Sequence, residues 1–333
     1  MRKIVIVTGG GAGVGRATAE EFARHGCDVG VIGRDLPRLE AAVSQLQRRG
    51  ARACCAQADV ADVQAVETAA DAIEAELGPV DIWVNNAMAT VFAPVTSIDP
   101  AEFRRATEVT YLGTVHGTMT ALKHMRRRGA GTIVNVGSAL AYRSVPLQSA
   151  YCGAKSAIRG FTDSLRSELI HDRSEIRITM VHLPAMNTPQ FTWALNKTGR
   201  RARPVPPVYA PEVAARAIVA AAFRPRREVW VGMPTVIAIV ANRVAAGFAD
   251  WYLAKTGYSS QLLHEAAPAD APANLFGPVQ GDYGAHGHFT DHEHRHSIEM
   301  VLSRHRGAAF AAVLVLGAGA LGACLKPGKH NPS

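Results

Sequence analysis

Three residues near the middle of the chain have the types needed to move a proton on and off an oxygen. Ser138 opens the stretch SALAYRSVPLQSAYCGAK, and Tyr151 and Lys155 stand towards its end. The run 150–171 reads as a helix, on which residues four apart share one face. A free phenol titrates near pH ~10, which makes it a poor acid or base at neutral pH. An ammonium beside it favours the phenolate and lowers that value, bringing the pair into range for proton transfer. Ser138 ends the strand-like run GTIVNVGS, where its hydroxyl can donate to an oxygen on which charge develops. Taken singly, the three suit ordinary roles as a turn cap, a half-buried helix residue and a solvated charge.

The elements around them supply the context. KIVIV (3–7) is a β-branched run typical of a buried parallel strand. A glycine-rich turn follows, and then the helical GRATAEEFARHG. DVGVIGRD is a second strand, and PRLEAAVSQLQRRG a helix with Pro37 in its first turn and Gly50 past its end. ARACCAQADV, a helix over 62–77 and VDIWVNNAM continue the alternation. A helix over 99–128 leads into GTIVNVGS, and the helix 150–171 into IRITMVHLP. The helix PEVAARAIVAAAF and the strand REVWVG close the series near residue 232. Strands alternating with helices predict an α/β fold, a doubly wound parallel Rossmann sheet with helices on both faces. Residues 1–233 form that domain, 234–303 a helical and irregular C-terminal extension with a helix over 235–254, and 304–333 an apolar tail.

The first turn, TGGGAGVG, places Gly9, Gly13 and Gly15 between a strand and a helix. Glycine permits a tight turn and a close backbone approach to a pyrophosphate, towards which the next helix aims its free N–H groups. In this context the turn predicts dinucleotide binding. The second strand ends IGRD, with Gly33 at the usual acidic position and Arg34 next. Arginine there accommodates a 2′-phosphate, so NADP is expected. Asp35 keeps NAD open.

In order and spacing across residues 3–232, the chain resembles the short-chain dehydrogenase/reductase family. The matching pieces are TGxxxGxG (Thr8–Gly15), ADV after the third strand, NNAM after the fourth, Ser138, and YxxxK at Tyr151–Lys155. LPAMNT (183–188) stands where the family has PG followed by threonine. The resemblance implies that Asp59 and Val60 hold the adenine, and that Asn86 and Ala87 line the cofactor cleft. It also implies that Val14 lies beside the pyrophosphate and that Pro184 to Thr188 hold the nicotinamide amide. Lys155 would hold the nicotinamide ribose as well as tune Tyr151, and an oligomer of two or four copies would be expected. One position departs from the family: EVTYLG places Thr110 where an asparagine usually completes the catalytic set. A shorter hydroxyl there implies a modified proton relay.

Between residues 185 and 211 the chain is long, Pro-rich and basic, as lids and binding loops are. Phe191, Trp193 and Leu195 within it suggest a lipophilic substrate. The net charge of +8 is scattered, without an aromatic-studded basic stripe, which argues against nucleic acid. Five cysteines, Cys27, Cys54, Cys55, Cys152 and Cys324, form no regular framework and fit a reducing cytoplasm. The opening MRKIVIVTGG does not read as a signal peptide.

Near the C-terminus, His286, His288, His292, His294 and His296 accompany Asp291 and Glu293. The spacing is loose and lacks paired cysteines, so a solvated or interface segment is expected there, with no metal. Residues 308–325 hold about 18 apolar positions flanked by Arg304, Arg306, Lys326 and Lys329. As a helix they would span ~27 Å, so membrane anchoring and soluble packing both stand open. The functional expectation is an NADP-preferring oxidoreductase acting on a carbonyl/alcohol pair. The alternative is a non-catalytic dinucleotide-binding sensor or scaffold.

Overall fold

The computed structural model describes residues 2–268 and 270–297. Strand β1 (Ile4–Thr8) is buried throughout, its side chains dividing between two apolar layers. Val5 and Val7 join one cluster and Ile4 and Ile6 the other, as the two-residue period of a doubly covered strand requires. Helix α1 (Gly13–Arg24) leads to β2 (Asp28–Gly33), α2 (Leu36–Arg48) to β3 (Ala53–Gln57), and α3 (Val63–Leu77) to β4 (Ile82–Asn85). The short β5 (Val91–Phe92) precedes α4 (Pro100–Thr107) and α5 (Gly113–Arg126). Then come β6 (Ala130–Ser138), α6 (Ser149–His171) and β7 (Glu175–Leu183).

The lid contains α7 (Gln190–Trp193), β8 (Leu195–Asn196), β9 (Arg200–Ala202) and β10 (Val208–Tyr209). Helix α8 (Pro211–Phe223) and β11 (Glu228–Trp230) complete the central sheet, whose order is β11-β7-β6-β4-β1-β2-β3. Every pair in that sheet is parallel. The order reverses between β1 and β4, and the crevice beyond the carboxyl ends at such a reversal is where open α/β sheets bind ligands.

A buried polar chain fixes that edge of the sheet. Trp83 Nε1 donates to Asn85 Oδ1 (2.8 Å), and Asn85 Nδ2 donates to Thr118 Oγ1 and Asn135 Oδ1 (both 2.9 Å). Asn135 Nδ2 then donates to Thr162 Oγ1 (2.9 Å). The network ties β4, β6, α5 and α6 together with these amide groups satisfied, which rigidifies rather than weakens a core.

Two expectations are corrected. The helix predicted over 99–128 is interrupted by a π-helical turn at Glu108–Leu112. The one predicted over 235–254 is two helices, α9 (Met233–Val244) and α10 (Ala246–Thr256), broken where Ala245 adopts φ −143°, ψ 53°. Apolar periodicity carried on through both breaks, which are backbone events it does not encode. Beyond α10, β12 (Leu262–Ala266) pairs antiparallel with β9, and β13 (Glu293–His294) pairs parallel with β10. The C-terminal extension is thereby stitched to the lid at two places. Among the described residues no helix is long and apolar enough to cross a membrane; the 308–325 segment lies outside them.

Candidate active site

The glycine turn is held at the mouth of the crevice by Thr8 and Asn86. The Thr8 hydroxyl accepts the N–H groups of Asn86 (3.0 Å) and Ala87 (3.2 Å). Asn86 Nδ2 donates back to the carbonyls of Thr8 (3.2 Å) and Gly9 (3.3 Å). Gly9 and Gly13 have φ of +67° and +57°, a region that favours glycine. A Cβ on Gly15 would lie 2.1 Å from the Gly9 carbonyl, so only glycine lets α1 start this close. Ala12 offers α1 no side-chain cap.

Ser138 is the last residue of β6, and its buried Oγ accepts Leu140 N–H at 3.1 Å. Tyr151 and Lys155 lie in the first turns of α6, facing the same cleft. Lys155 is 3% exposed, donates through Nζ to the Val136 carbonyl at 2.7 Å, and sits 5.5 Å from the centroid of the Tyr151 ring. Burial pulls the Lys155 ammonium down to about 8. Burial also pushes the Tyr151 phenol above its ordinary range, opposed by the Ser138 hydroxyl. At neutral pH the phenol carries its proton.

Thr110 lies in the π-helical turn, fully buried and away from the cavity wall. Its hydroxyl donates to the Ala89 carbonyl (2.8 Å) and accepts Ala89 N–H (3.0 Å). The hydroxyl both donates to and accepts from Ala89, so it clamps the loop after β4.

Glycine turn and triad open onto one cavity of about 860 Å³. Gly9, Gly13, Val14, Arg34, Asn86 and Ala87 line one end; Ser138, Tyr151, Lys155, Pro184 and Thr188 line the middle. Val205, Met233, Ile237, Tyr252 and Leu253 add apolar side chains to the lining, beside the polar Arg143, Gln148 and Arg203.

Over residues 3–198 the chain matches the family model for short chain dehydrogenases. It belongs to the short-chain dehydrogenase family. It is 30% identical over 272 residues to the uncharacterized oxidoreductase YxnA of Bacillus subtilis, spanning 80% of this chain and 75% of that one. Its fold is similar to that of an alcohol dehydrogenase from the archaeon Thermococcus sibiricus complexed with 5-hydroxy-NADP (TM-score 0.60, 23% identity, 69% of this chain, 96% of that one). It is also similar to a variant of actinorhodin polyketide ketoreductase with NADPH (TM-score 0.62, 25% identity, 69% and 95%). As a short-chain dehydrogenase the chain is an NAD(P)-dependent oxidoreductase with a Rossmann sheet.

At the adenosine end the family resemblance implies, the polar side chains have partners within the protein. Asp35 caps α2, accepting Arg38 N–H at 2.9 Å, and pairs with the Arg38 guanidinium at 3.4 Å. Its carboxylate is thus engaged within the protein. Asp59 forms an ion pair with Arg105 and accepts Ala61 N–H at 3.0 Å. Neither Asp59 nor Val60 reaches the cavity wall. Arg34 does, and donates to the carbonyls of Asn274 and Leu275.

Of the lid residues, Phe191 and Trp193 line the cavity whereas Leu195 pairs β8 with β5. Phe191 packs on Phe92 (ring centroids 5.9 Å). Trp193 meets Tyr283 edge-on (4.7 Å) beneath the Arg38 guanidinium (4.8 Å), at the glycine-turn side of the cavity. Sequence reasoning missed Arg38, Tyr252 and the whole run 274–289. Only Arg34, just past the end of β2, hinted at a cationic corner.

The histidine-rich run is dispersed. His286 pairs with Glu212 (2.8 Å) and His294 packs tilted against Tyr209 (ring centroids 5.4 Å). Among the described residues no three His, Cys, Asp or Glu side chains converge as a metal site.

Proposed function

We propose that this short-chain dehydrogenase is an NADP(H)-preferring oxidoreductase for a lipophilic carbonyl/secondary alcohol pair, with Tyr151 as general acid and base. The observation that carries the reading is the convergence of Ser138, Tyr151 and Lys155 on one wall of a cavity that begins at the glycine turn. The residues suit a dinucleotide: two left-handed glycines, an uncapped helix N-terminus and guanidinium groups at the end of β2. The turn Thr8–Gly15, with Asn86, Ala87, Pro184 and Thr188, would hold it, and Lys155 would bind its ribose hydroxyls. Preference for the 2′-phosphate is supported by Arg34 beside the cavity, by the internal engagement of Asp35, and by the NADPH of the ketoreductase relative.

When bound, the nicotinamide supplies or accepts the hydride. In reduction, Tyr151, protonated at neutral pH, gives its proton to the substrate oxygen. Ser138 donates a hydrogen bond to that same oxygen as charge develops on it. In oxidation, the Lys155 charge helps the phenol release its proton. The apolar side chains of the lining, Phe191, Met233, Ile237 and Leu253 among them, favour a hydrophobic substrate body. The test is a panel of ketones and secondary alcohols with NADPH and NADH, comparing wild type, Tyr151→Phe and Arg34→Ala. Equal turnover by wild type and Tyr151→Phe would overturn the mechanism. An unchanged NADPH/NADH preference in Arg34→Ala would overturn the cofactor reading.

A further inference from the structure

The run 274–289 crosses the crevice and uses the groups that would otherwise face a dinucleotide. Arg34 gives its N–H groups to the carbonyls of Asn274 and Leu275. Arg105 bridges Leu275 and Asp59, donating through Nε to the Leu275 carbonyl at 3.1 Å. The Leu275 side chain is fully buried, in the same apolar cluster as Ala58, Val60 and Val109. Further along, Arg38 Nε donates to the Gly281 carbonyl (2.8 Å), and the buried Arg16 lies 3.4 Å from Asp282. Gly13, in the phosphate-binding turn itself, donates its N–H to the Gly284 carbonyl at 3.0 Å. Gly287 N–H reaches the Asn187 carbonyl (3.2 Å), next to Thr188.

These contacts follow the length of the expected cofactor track. The cavity stays open at the triad, while Asp59 and Val60 are shut off from it. The segment is anchored at both ends, by β12 on β9 and by β13 on β10. It can therefore lift and remain tethered.

We propose that residues 274–289 are an intramolecular competitor for the dinucleotide: Leu275 takes the apolar adenine pocket, and the backbone carbonyls take the cations and the turn N–H that serve phosphates. The proposal rests on the dinucleotide site assigned above. Binding of the cofactor must displace the segment, so the apparent Kd exceeds the intrinsic one by the reciprocal of the open fraction. A phosphate forms charge-assisted bonds with arginine that are roughly twice as strong as those of a neutral carbonyl. A dinucleotide bearing the extra 2′-phosphate is accordingly the better displacer, and the segment sharpens cofactor choice.

Hydrogen exchange on the full chain, with and without saturating NADPH, tests this directly, binding being followed by nicotinamide fluorescence. The amides of Asn274 and Gly287, bonded in the closed segment to the Trp193 and Asn187 carbonyls, should exchange about tenfold faster or more when NADPH is bound. Those of β12 should not change. Slower or unchanged exchange at Asn274 and Gly287 in a chain that demonstrably binds NADPH would overturn the proposal in favour of a clamp over the cofactor or a passive cover. In parallel, Leu275→Ala should tighten NADPH binding by about tenfold or more; an equal or weaker affinity in a cooperatively folding variant also overturns it. If neither wild type nor Leu275→Ala binds NADPH or NADH, the dinucleotide site itself is wrong and the competitor falls with it.

Discussion

Lys155 Nζ lies 2.7 Å from the Val136 carbonyl, so the buried ammonium of α6 is tied to the strand that carries Ser138. That bond sets the spacing between the two elements bearing the triad. It also leaves the lysine in a desolvated place, where its neutral form is favoured.

The first prediction follows from that depression of Lys155 to about 8. Between pH 8 and the unfolded value near 10.5, the unfolded chain binds the extra proton, so this lysine's contribution to stability rises with pH. Relative to Lys155→Met, wild type should gain up to about 3 kcal/mol across that window. Urea unfolding of both proteins at pH 7.5 to 10.5 measures it, and a flat difference would mean that the lysine is solvated.

Tyr151 leads to a second prediction. Its raised phenol stays protonated through neutral pH, the form that reduction uses. Reduction should be nearly level from pH 6 to 8, while alcohol oxidation, which needs the phenolate, should climb with pH. Tyr151→Phe should lose about 10²–10⁴-fold in turnover in both directions, with dinucleotide affinity changed only a few-fold. Steady-state rates and cofactor titrations check the two halves separately.

At Thr110 the expected damage is structural. Thr110→Val would leave the buried N–H and carbonyl of Ala89 without the hydroxyl that serves both, at a cost of about 1–3 kcal/mol. Denaturant midpoints should fall accordingly, while the pH profile of turnover keeps its shape. A shifted profile with unchanged stability would restore Thr110 to the proton path.

How far the sequence foretold this arrangement depends on distance along the chain. Tyr151 and Lys155 are one helical turn apart, and Gly9, Gly13 and Gly15 sit in one turn; such local spacing is preserved in the fold. The sheet was legible because β1, β2, β4, β6 and β7 carry apolar, mostly β-branched runs that are largely buried. Thr110's engagement was not legible, since the π-helical turn that aims it at Ala89 interrupts no apolar pattern. Nor was the corner where Arg34 and Arg105 meet Leu275. Those partners are separated by 241 and 170 residues, and a backbone carbonyl as acceptor leaves no mark on residue type. The Pro- and Gly-containing run 274–289 reads only as part of the 234–303 extension because its order comes from the surface it lies on.

The last prediction concerns the group behind Ser138. His182 is fully buried, with Nδ1 3.1 Å from the Ser138 carbonyl and Nε2 3.6 Å from Glu228 Oε2. Glu228 is itself held by the Tyr142 hydroxyl (2.6 Å) and Trp230 Nε1 (2.8 Å). Burial, with Arg159 and Lys155 nearby, keeps His182 below its ordinary value against the pull of Glu228. The folded protein therefore keeps a neutral imidazole where the unfolded chain takes up a proton. As pH falls below about 6.5, the unfolded state gains that proton first, and stability is lost with it. His182→Gln, which retains a donor for the Ser138 carbonyl, should lose less stability than wild type between pH 7 and 5. Because the side chain reaches Ser138 only through its carbonyl, the substitution should alter KM and kcat little at pH 7. Parallel unfolding curves at pH 5, 6 and 7 decide the first point. Identical pH slopes would mean that burial does not shift His182, and a wild type that loses less stability than His182→Gln would mean an imidazolium paired with Glu228.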